Sequence, residues 1–160
     1  MENTQSFLLQ LNNIGALATI DLTERYLVSP EDYSEWTKNI EVVEGDCIIT
    51  NAGLVGAIAR IPADLKTGIG RNFTAIRPQK ISPVYLFSYL TSEYGKSEVA
   101  ANEDQGTIFN SLNVKGIKKI MVLIPEAQIL KDYEAIAARL RNNLERNVVQ
   151  NHSLTELCDS

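Results

Sequence analysis

Residues 44–61 read Glu44-Gly45-Asp46-Cys47-Ile48-Ile49-Thr50-Asn51-Ala52-Gly53-Leu54-Val55-Gly56-Ala57-Ile58-Ala59-Arg60-Ile61. The pattern is strand, turn, strand. Gly45-Asp46 is a turn signal ahead of the apolar run Cys47-Ile48-Ile49. Thr50 and Asn51 stand where that run ends, and Gly53 and Gly56 let the backbone turn sharply. Val55, Ala57 and Ala59 then alternate with Gly56, Ile58 and Arg60 as a second short strand. A polar tip held between two buried strands can offer backbone and small polar side chains to a partner. From these residues alone, the alternative is a purely structural hairpin.

Upstream, Ile40, Val42 and Val43 lead into this hairpin, preceded by a short helix over Pro30–Lys38. Ser29 is placed to cap that helix, Pro30 suits its first position, and Glu31 and Asp32 fall in its first turn. Tyr33 and Trp36 share one of its faces. Phe7–Leu11 fits a short helix or a strand and is broken by Asn12-Asn13 and Gly15. Downstream, 62–68 is a loop and Asn72–Arg77 a strand stopped by Pro78. Ser82-Pro83 opens a helix running to about Glu93, where Gly95 can end it. Ser97–Asn102 is a candidate second helix. Glu103–Ser111 is a polar loop, Asn113 caps a turn over Val114–Lys119, and Ile120–Ile124 reads as a buried strand stopped by Pro125.

The last segment, Glu126–Leu157, contains no Gly or Pro. It predicts a helix of about 30 residues and about 45 Å. Leu130, Tyr133, Ala137, Leu140, Leu144, Asn147 or Val148, Asn151, Leu154 and Cys158 recur at alternating spacings of three and four, the seam of a coiled coil. Such a stripe outruns a small domain and predicts a partner helix, with Asn151 a polar interruption that can set register. The alternative is a helix folded back on its own domain.

The chain has 160 residues, 44% hydrophobic and 22% charged, which suits one globular domain, 1–125, followed by the helix, 126–158. No apolar run reaches the roughly 18 residues of a membrane span, and Met1–Gln5 carries no basic leader, so no membrane partner is expected. Cys47 and Cys158 lie far apart, one in a core strand and one near the tail. This predicts free thiols in a reducing, cytoplasmic compartment. The net charge of −5 is unevenly spread: −7 over residues 1–59, +4 over 60–119 and −2 over 120–160. A basic middle between acidic ends is compatible with one local anion-binding face.

Catalytic chemistry is hard to find. His152 is the single histidine and falls on the predicted helix. No Cys/His cluster has metal-ligand spacing, and neither a phosphate loop nor a Gly-x-Gly-x-x-Gly turn occurs. Gly53-Leu54-Val55-Gly56 matches the Gly-x-x-Gly clamp of RNA domains in letters only, since that clamp lies between helices. The reading is a non-enzyme with no cofactor and no metal of its own.

Four segments in order carry a resemblance: Tyr26–Tyr33; Gly45–Gly56; Gly106-Thr107 through Leu112–Ile117 with Ile120–Pro125; and Glu126–Leu157. The chain resembles the specificity subunit of type I restriction–modification enzymes, namely one target-recognition domain followed by its long spacer helix. Gly45–Gly56 is similar to the family's "Gly-Asp-Ile-Leu … Gly-x-x-Gly" hairpin. Gly106–Pro125 is similar to its "Gly-Ser/Thr … Leu-Ser … Leu … Ile-Pro-Leu-Pro" segment. The implied fold is α+β, a small mixed β-sheet domain with flanking helices and a long C-terminal coiled-coil helix. The implied function is non-catalytic recognition of a DNA sequence for partner adenine methyltransferase subunits, which would bind S-adenosylmethionine and flip the target base. The family's opening segment is absent before Leu22, so the resemblance implies an N-terminally truncated half subunit. A remnant serving only protein assembly is the second reading.

Within that reading, phosphate contacts fall to the basic middle and base contacts to polar loop residues. The candidates are Thr50, Asn51, Lys66, Arg71, Asn72, Gln105, Thr107, Asn110 and Lys115, each also readable as an ordinary solvated loop residue. Leu130, Tyr133, Leu140, Leu144, Asn151 and Leu154 are the candidates for helix pairing, in a homodimer or with a second specificity half. Double-stranded DNA and the methyltransferase subunits complete the expected partners.

Overall fold

The computed structural model describes residues 6–104 and 110–158, apart from the side chains of residues 152, 153, 155 and 156. Gln105 and Thr107 therefore lie outside the described residues. The hairpin forms as read: β3 (Cys47–Thr50) and β4 (Ile58–Arg60) pair antiparallel, with Cys47 opposite Arg60 and Ile49 opposite Ile58. Gly45, Gly53 and Gly56 all adopt positive φ, which explains glycine at these turns.

Two three-stranded sheets appear where one was expected. β1 (Phe7–Leu9) pairs antiparallel with β2 (Tyr26–Leu27) and parallel with β5 (Gly68–Ile69). β3 lies between β4 and β6 (Phe73–Ile76), all antiparallel. Successive side chains of β3 point to opposite faces. Ile48 joins a core of Phe7, Leu9, Ile20, Val42, Ala59, Ile61 and Phe73. Cys47 and Ile49 join a second core of Ile58, Leu86, Phe87, Leu90, Val99 and Leu112. Because both faces of β3 are covered, its sequence is a continuous apolar run rather than an alternating one.

The helices opened by Ser29-Pro30 and Ser82-Pro83 start as the sequence indicates, whereas the one expected over Ser97–Asn102 begins at Glu93. In α1 (Pro30–Thr37), Ser29 caps by accepting from the Asp32 amide at 3.0 Å. In α2 (Pro83–Thr91), Val84, Leu86, Phe87 and Leu90 are buried. The break after α2 falls at Ser92, not at Gly95, because the Ser92 hydroxyl caps a new helix, α3 (Glu93–Ala101), by accepting from the Gly95 amide. Gly95 serves instead as a close-approach residue: a Cβ there would lie 2.1 Å from the Tyr89 carbonyl oxygen. Asn113 caps the single turn α4 (Val114–Ile117).

The strand expected at Ile120–Ile124 does not form. Ile120 and Val122 pack on the second core while Met121, Leu123 and Ile124 are exposed. Among the described residues no strand pairs with this segment. The Met121 amide donates to Glu98 Oε2 and the Leu123 carbonyl accepts from the Tyr85 hydroxyl.

From this irregular segment rises α5 (Ala127–Cys158), which packs against α2. The expected seam divides. Leu130, Ala137, Leu144 and Val148 are half-buried on the domain side, and Tyr133 stacks edge-on against Tyr85 with centroids 5.7 Å apart. Leu140 points away and is 65% exposed. The helix thus folds back on its own domain as far as Val148.

A polar network, invisible in the sequence, anchors this contact. Glu145 accepts from Arg60 Nη1 at 2.9 and 3.1 Å and from Arg141 Nε at 2.7 Å. Arg141 also donates to the carbonyls of Leu17 and Ala18 and lies 4.1 Å above the Phe87 ring. All three charged residues are buried.

Two measurements test this packing. Gly95→Ala overpacks the α2–α3 corner and lowers unfolding free energy by about 1–3 kcal/mol in a urea titration. Burial pushes the Cys47 thiol up to about 12, so at pH 8 it stays protonated and shielded. A maleimide reagent then modifies the exposed Cys158 in the native protein and reaches Cys47 only after denaturation.

Candidate nucleic-acid interface

The end of the antiparallel sheet carrying the hairpin tip is built on Asn51. Its amide donates to the Asn72 carbonyl at 2.7 Å and its carbonyl accepts from the Leu112 amide at 2.9 Å. Its side chain donates to the Leu112 carbonyl at 2.5 Å and accepts from the Thr74 hydroxyl at 3.0 Å. One residue therefore ties together the end of β3, the start of β6 and the segment entering α4. Thr50, beside it, is 0% exposed. Its hydroxyl donates to the Leu54 carbonyl and accepts from the Ala57 amide, closing the hairpin.

Both tip residues thus turn inward, against the expectation that they stand out toward a partner. A short polar side chain beside unpaired backbone groups satisfies them before it can serve a ligand. The exposed candidates are their neighbours. Asn72 is exposed on the β5–β6 turn next to Arg71, whose guanidinium lies 5.9 Å above the Trp36 ring. Asn110 is exposed and donates to Glu103 Oε2 at 3.2 Å. Lys115 is exposed on α4, followed by exposed Lys118 and Lys119. The Asn51 bonds bring Asn72 and the 110–115 segment to one end of the sheet. Lys66 is also exposed but precedes β5, whereas Arg71 and Asn72 follow it.

Charge separates these groups further. Of the nine basic residues in 60–119, Arg60, Arg77 and Lys96 are paired with carboxylates. Lys66, Arg71, Lys80, Lys115, Lys118 and Lys119 are exposed and without an ion pair among the described residues. Arg77, which sequence reading left unassigned, instead anchors the start of the hairpin. It donates from Nε and Nη2 to buried Asp46 at 2.8 and 2.6 Å, and this hydrogen bonding raises its pKa above the ordinary arginine value. Burial and the neighbouring Glu41 carboxylate, which accepts from the Tyr33 hydroxyl at 2.7 Å, raise the Tyr33 pKa well above the ordinary phenol value. Arg77 and Tyr33 are structural participants, and only their distant partners could have revealed it.

No grouping of three or more His, Cys, Asp or Glu able to hold a metal occurs among the described residues. No described helix is long and apolar enough to cross a membrane.

No family model and no curated protein matches the chain. Among solved structures, a chain from a study of complex assembly and conformational transition in the type I R-M system superposes over 98% of this chain, with TM-score 0.57 and 19% identity. The fold is that of a type I R-M system component. An α+β body followed by a long C-terminal helix is also the arrangement that the order of the sequence motifs leads one to expect. The HsdS subunit from Thermoanaerobacter tengcongensis aligns over 74% of this chain with TM-score 0.46 and 22% identity. The chain spans 37% of the first structure's length and 32% of the second's.

The division between inward and outward polar residues is measurable. Asn51→Ala leaves the Leu112 carbonyl without its side-chain donor and lowers stability by about 1–3 kcal/mol. Asn72→Ala and Lys115→Ala stay within about 0.5 kcal/mol of the unaltered protein, as exposed substitutions do. Urea titrations of the three variants provide the comparison.

Proposed function

We propose that the chain is the DNA-recognition and assembly unit of a type I restriction–modification system, selecting the sequence that partner adenine methyltransferase subunits modify. The observation carrying this reading is the shared fold, which extends over recognition domain and helix together. The unpaired basic side chains support it, since phosphate contacts require cations not already neutralised by carboxylates. Arg71, Asn72, Asn110 and Lys115 are the residues proposed to reach DNA, with Lys66, Lys118 and Lys119 adding backbone contacts. An arginine or amide can engage guanine or adenine edges bidentately. Gln105 and Thr107 belong to the same loop as Asn110. Thr50 and Asn51 shape this surface rather than touch DNA. The chain itself does no chemistry, and S-adenosylmethionine would bind to the methyltransferase partner.

Helix pairing uses the outer face of α5. Ile129, Ile136, Leu140 and Leu154 are exposed there, Ile136 to 67%. Together with Asn143 and Asn147 they form a stripe whose gaps of three, four and seven fit a coiled coil. This stripe takes over the pairing role from Leu130 and Leu144. Two chains joined antiparallel would read an interrupted palindrome, because a two-fold protein matches a two-fold site.

A second reading, an assembly module without DNA recognition, draws on the acidic first third and the inward turn of Thr50 and Asn51. Gel shift with the methyltransferase partner separates the two. In the recognition reading one DNA sequence is preferred, and Arg71→Ala and Lys115→Ala each reduce the slope of log affinity against log salt by about 1. Co-purification with the methyltransferase but no sequence preference at any salt supports the assembly reading. In light scattering, Ile136→Glu with Leu140→Glu converts a dimer to monomer without unfolding it.

A further inference from the structure

The helix α5 leaves the domain from an irregular segment, tied near its root by the Tyr85 hydroxyl, which donates to the Leu123 carbonyl. Tyr133 against Tyr85 is the aromatic contact near that root. Twelve residues on, about 18 Å along the axis, Glu145 meets Arg60 on β4. Apolar contacts between these points, from half-buried Leu130, Ala137 and Leu144, are non-directional and tolerate sliding. One flank of the helix is hardly packed: an open cleft of about 860 Å³ separates it from Leu22, Pro62 and Leu65.

The Arg60–Glu145–Arg141 network is directional where the packing is not. Arg60 Nη1 reaches both Glu145 oxygens. Arg141 grips two successive carbonyls, those of Leu17 and Ala18 at 2.9 and 2.6 Å. Leu17 and Ala18 both adopt left-handed backbone, φ 57° and 55°. Non-glycine residues in that region are strained and persist only where surroundings over-determine them. Moving the helix by one turn would break every one of these bonds. Stability alone does not account for the network. Arg60 Nε has no partner among the described residues, and buried ion networks are often matched or exceeded by apolar side chains of similar volume. Buried charge is best accounted for where it sets registry.

We propose that Arg60, Arg141 and Glu145 are positioning residues that fix the angle between the recognition domain and α5, and through it the separation of the two half-sites that a paired protein accepts. The spacing claim rests on the proposed DNA-recognition function; the angle claim does not.

The test compares the unaltered chain, the milder Arg141→Lys, and an apolar triple variant, Arg60→Leu with Arg141→Met and Glu145→Leu. Nitroxide labels at Lys96→Cys on α3 and Gln150→Cys on α5, in a Cys158→Ser background and diluted into unlabelled chain so that only distances within one chain are read, report the inter-element distance by pulsed electron paramagnetic resonance. One narrow distance is expected for the unaltered network. In the triple variant the distribution should roughly double in width while cooperative unfolding is retained, because removing a directional constraint populates further states. Arg141→Lys, which keeps the charge but loses the fork, should fall between, and it decides the question if the triple variant does not fold. A distribution that is already broad in the unaltered network, or equally narrow and equally centred in the variants, overturns the proposal. In gel shift with methyltransferase, DNA whose half-sites are one base pair too close or too far should bind about tenfold more weakly to the unaltered protein and nearly equally to the triple variant, at unchanged affinity for the best site. Retained spacing selectivity in a broadened variant overturns the spacing claim. Absence of any sequence preference in the unaltered protein removes the recognition reading, and with it the spacing claim, while the distances still decide the angle.

Discussion

The carboxylate of Glu145, buried between the guanidinium groups of Arg60 and Arg141, is the constraint on which the arrangement of this protein turns. A charge removed from water must meet an opposite charge with good geometry or be strongly destabilising. Glu145 meets two. Because Arg141 and Glu145 are one turn apart, they also define which side of α5 faces the domain. The outward side follows by exclusion, and with it the exposed positions Ile136 and Leu140.

Strand β3 plays the corresponding part within the domain. It is the shared wall of two cores, Ile48 on one side and Cys47 and Ile49 on the other. The antiparallel sheet around it fixes the hairpin tip, and Asn51 carries that order outward to the turn before β6 and to the segment entering α4. The exposed basic and amide groups stand on this frame. Their setting is a consequence of rigid backbone beneath them, which is how surface loops become precise enough to bind.

Much of this was legible locally. The hairpin 44–61, the Ser29 and Asn113 caps and the long terminal helix all follow from turn chemistry, capping and the absence of Gly and Pro after residue 126. The motifs in order pointed to the fold that the solved type I R-M system chain shares. Other features were illegible for a common reason: each depends on a partner distant in sequence. Ile120–Ile124 is an unbroken apolar run that reads like a buried strand, yet a strand requires a neighbour, and among the described residues none pairs with it. Thr50 and Asn51 read as an offered polar tip, yet the backbone groups of Leu54, Ala57 and Leu112 claim them first. Arg60 looked like one more alternating residue until Glu145, 85 positions away, came beside it.

The sequence by itself determined where α1, α2, α4 and α5 begin, where the hairpin turns and the apolar run of β3, because those choices rest on contacts within a few residues. Only the tertiary structure decided the faces. The final helix carries overlapping apolar stripes at coiled-coil spacing, and either could have turned inward on periodicity alone. The pairing of Glu145 with Arg60 and Arg141 settled the matter, since a buried charge admits far fewer orientations than a hydrophobic stripe does.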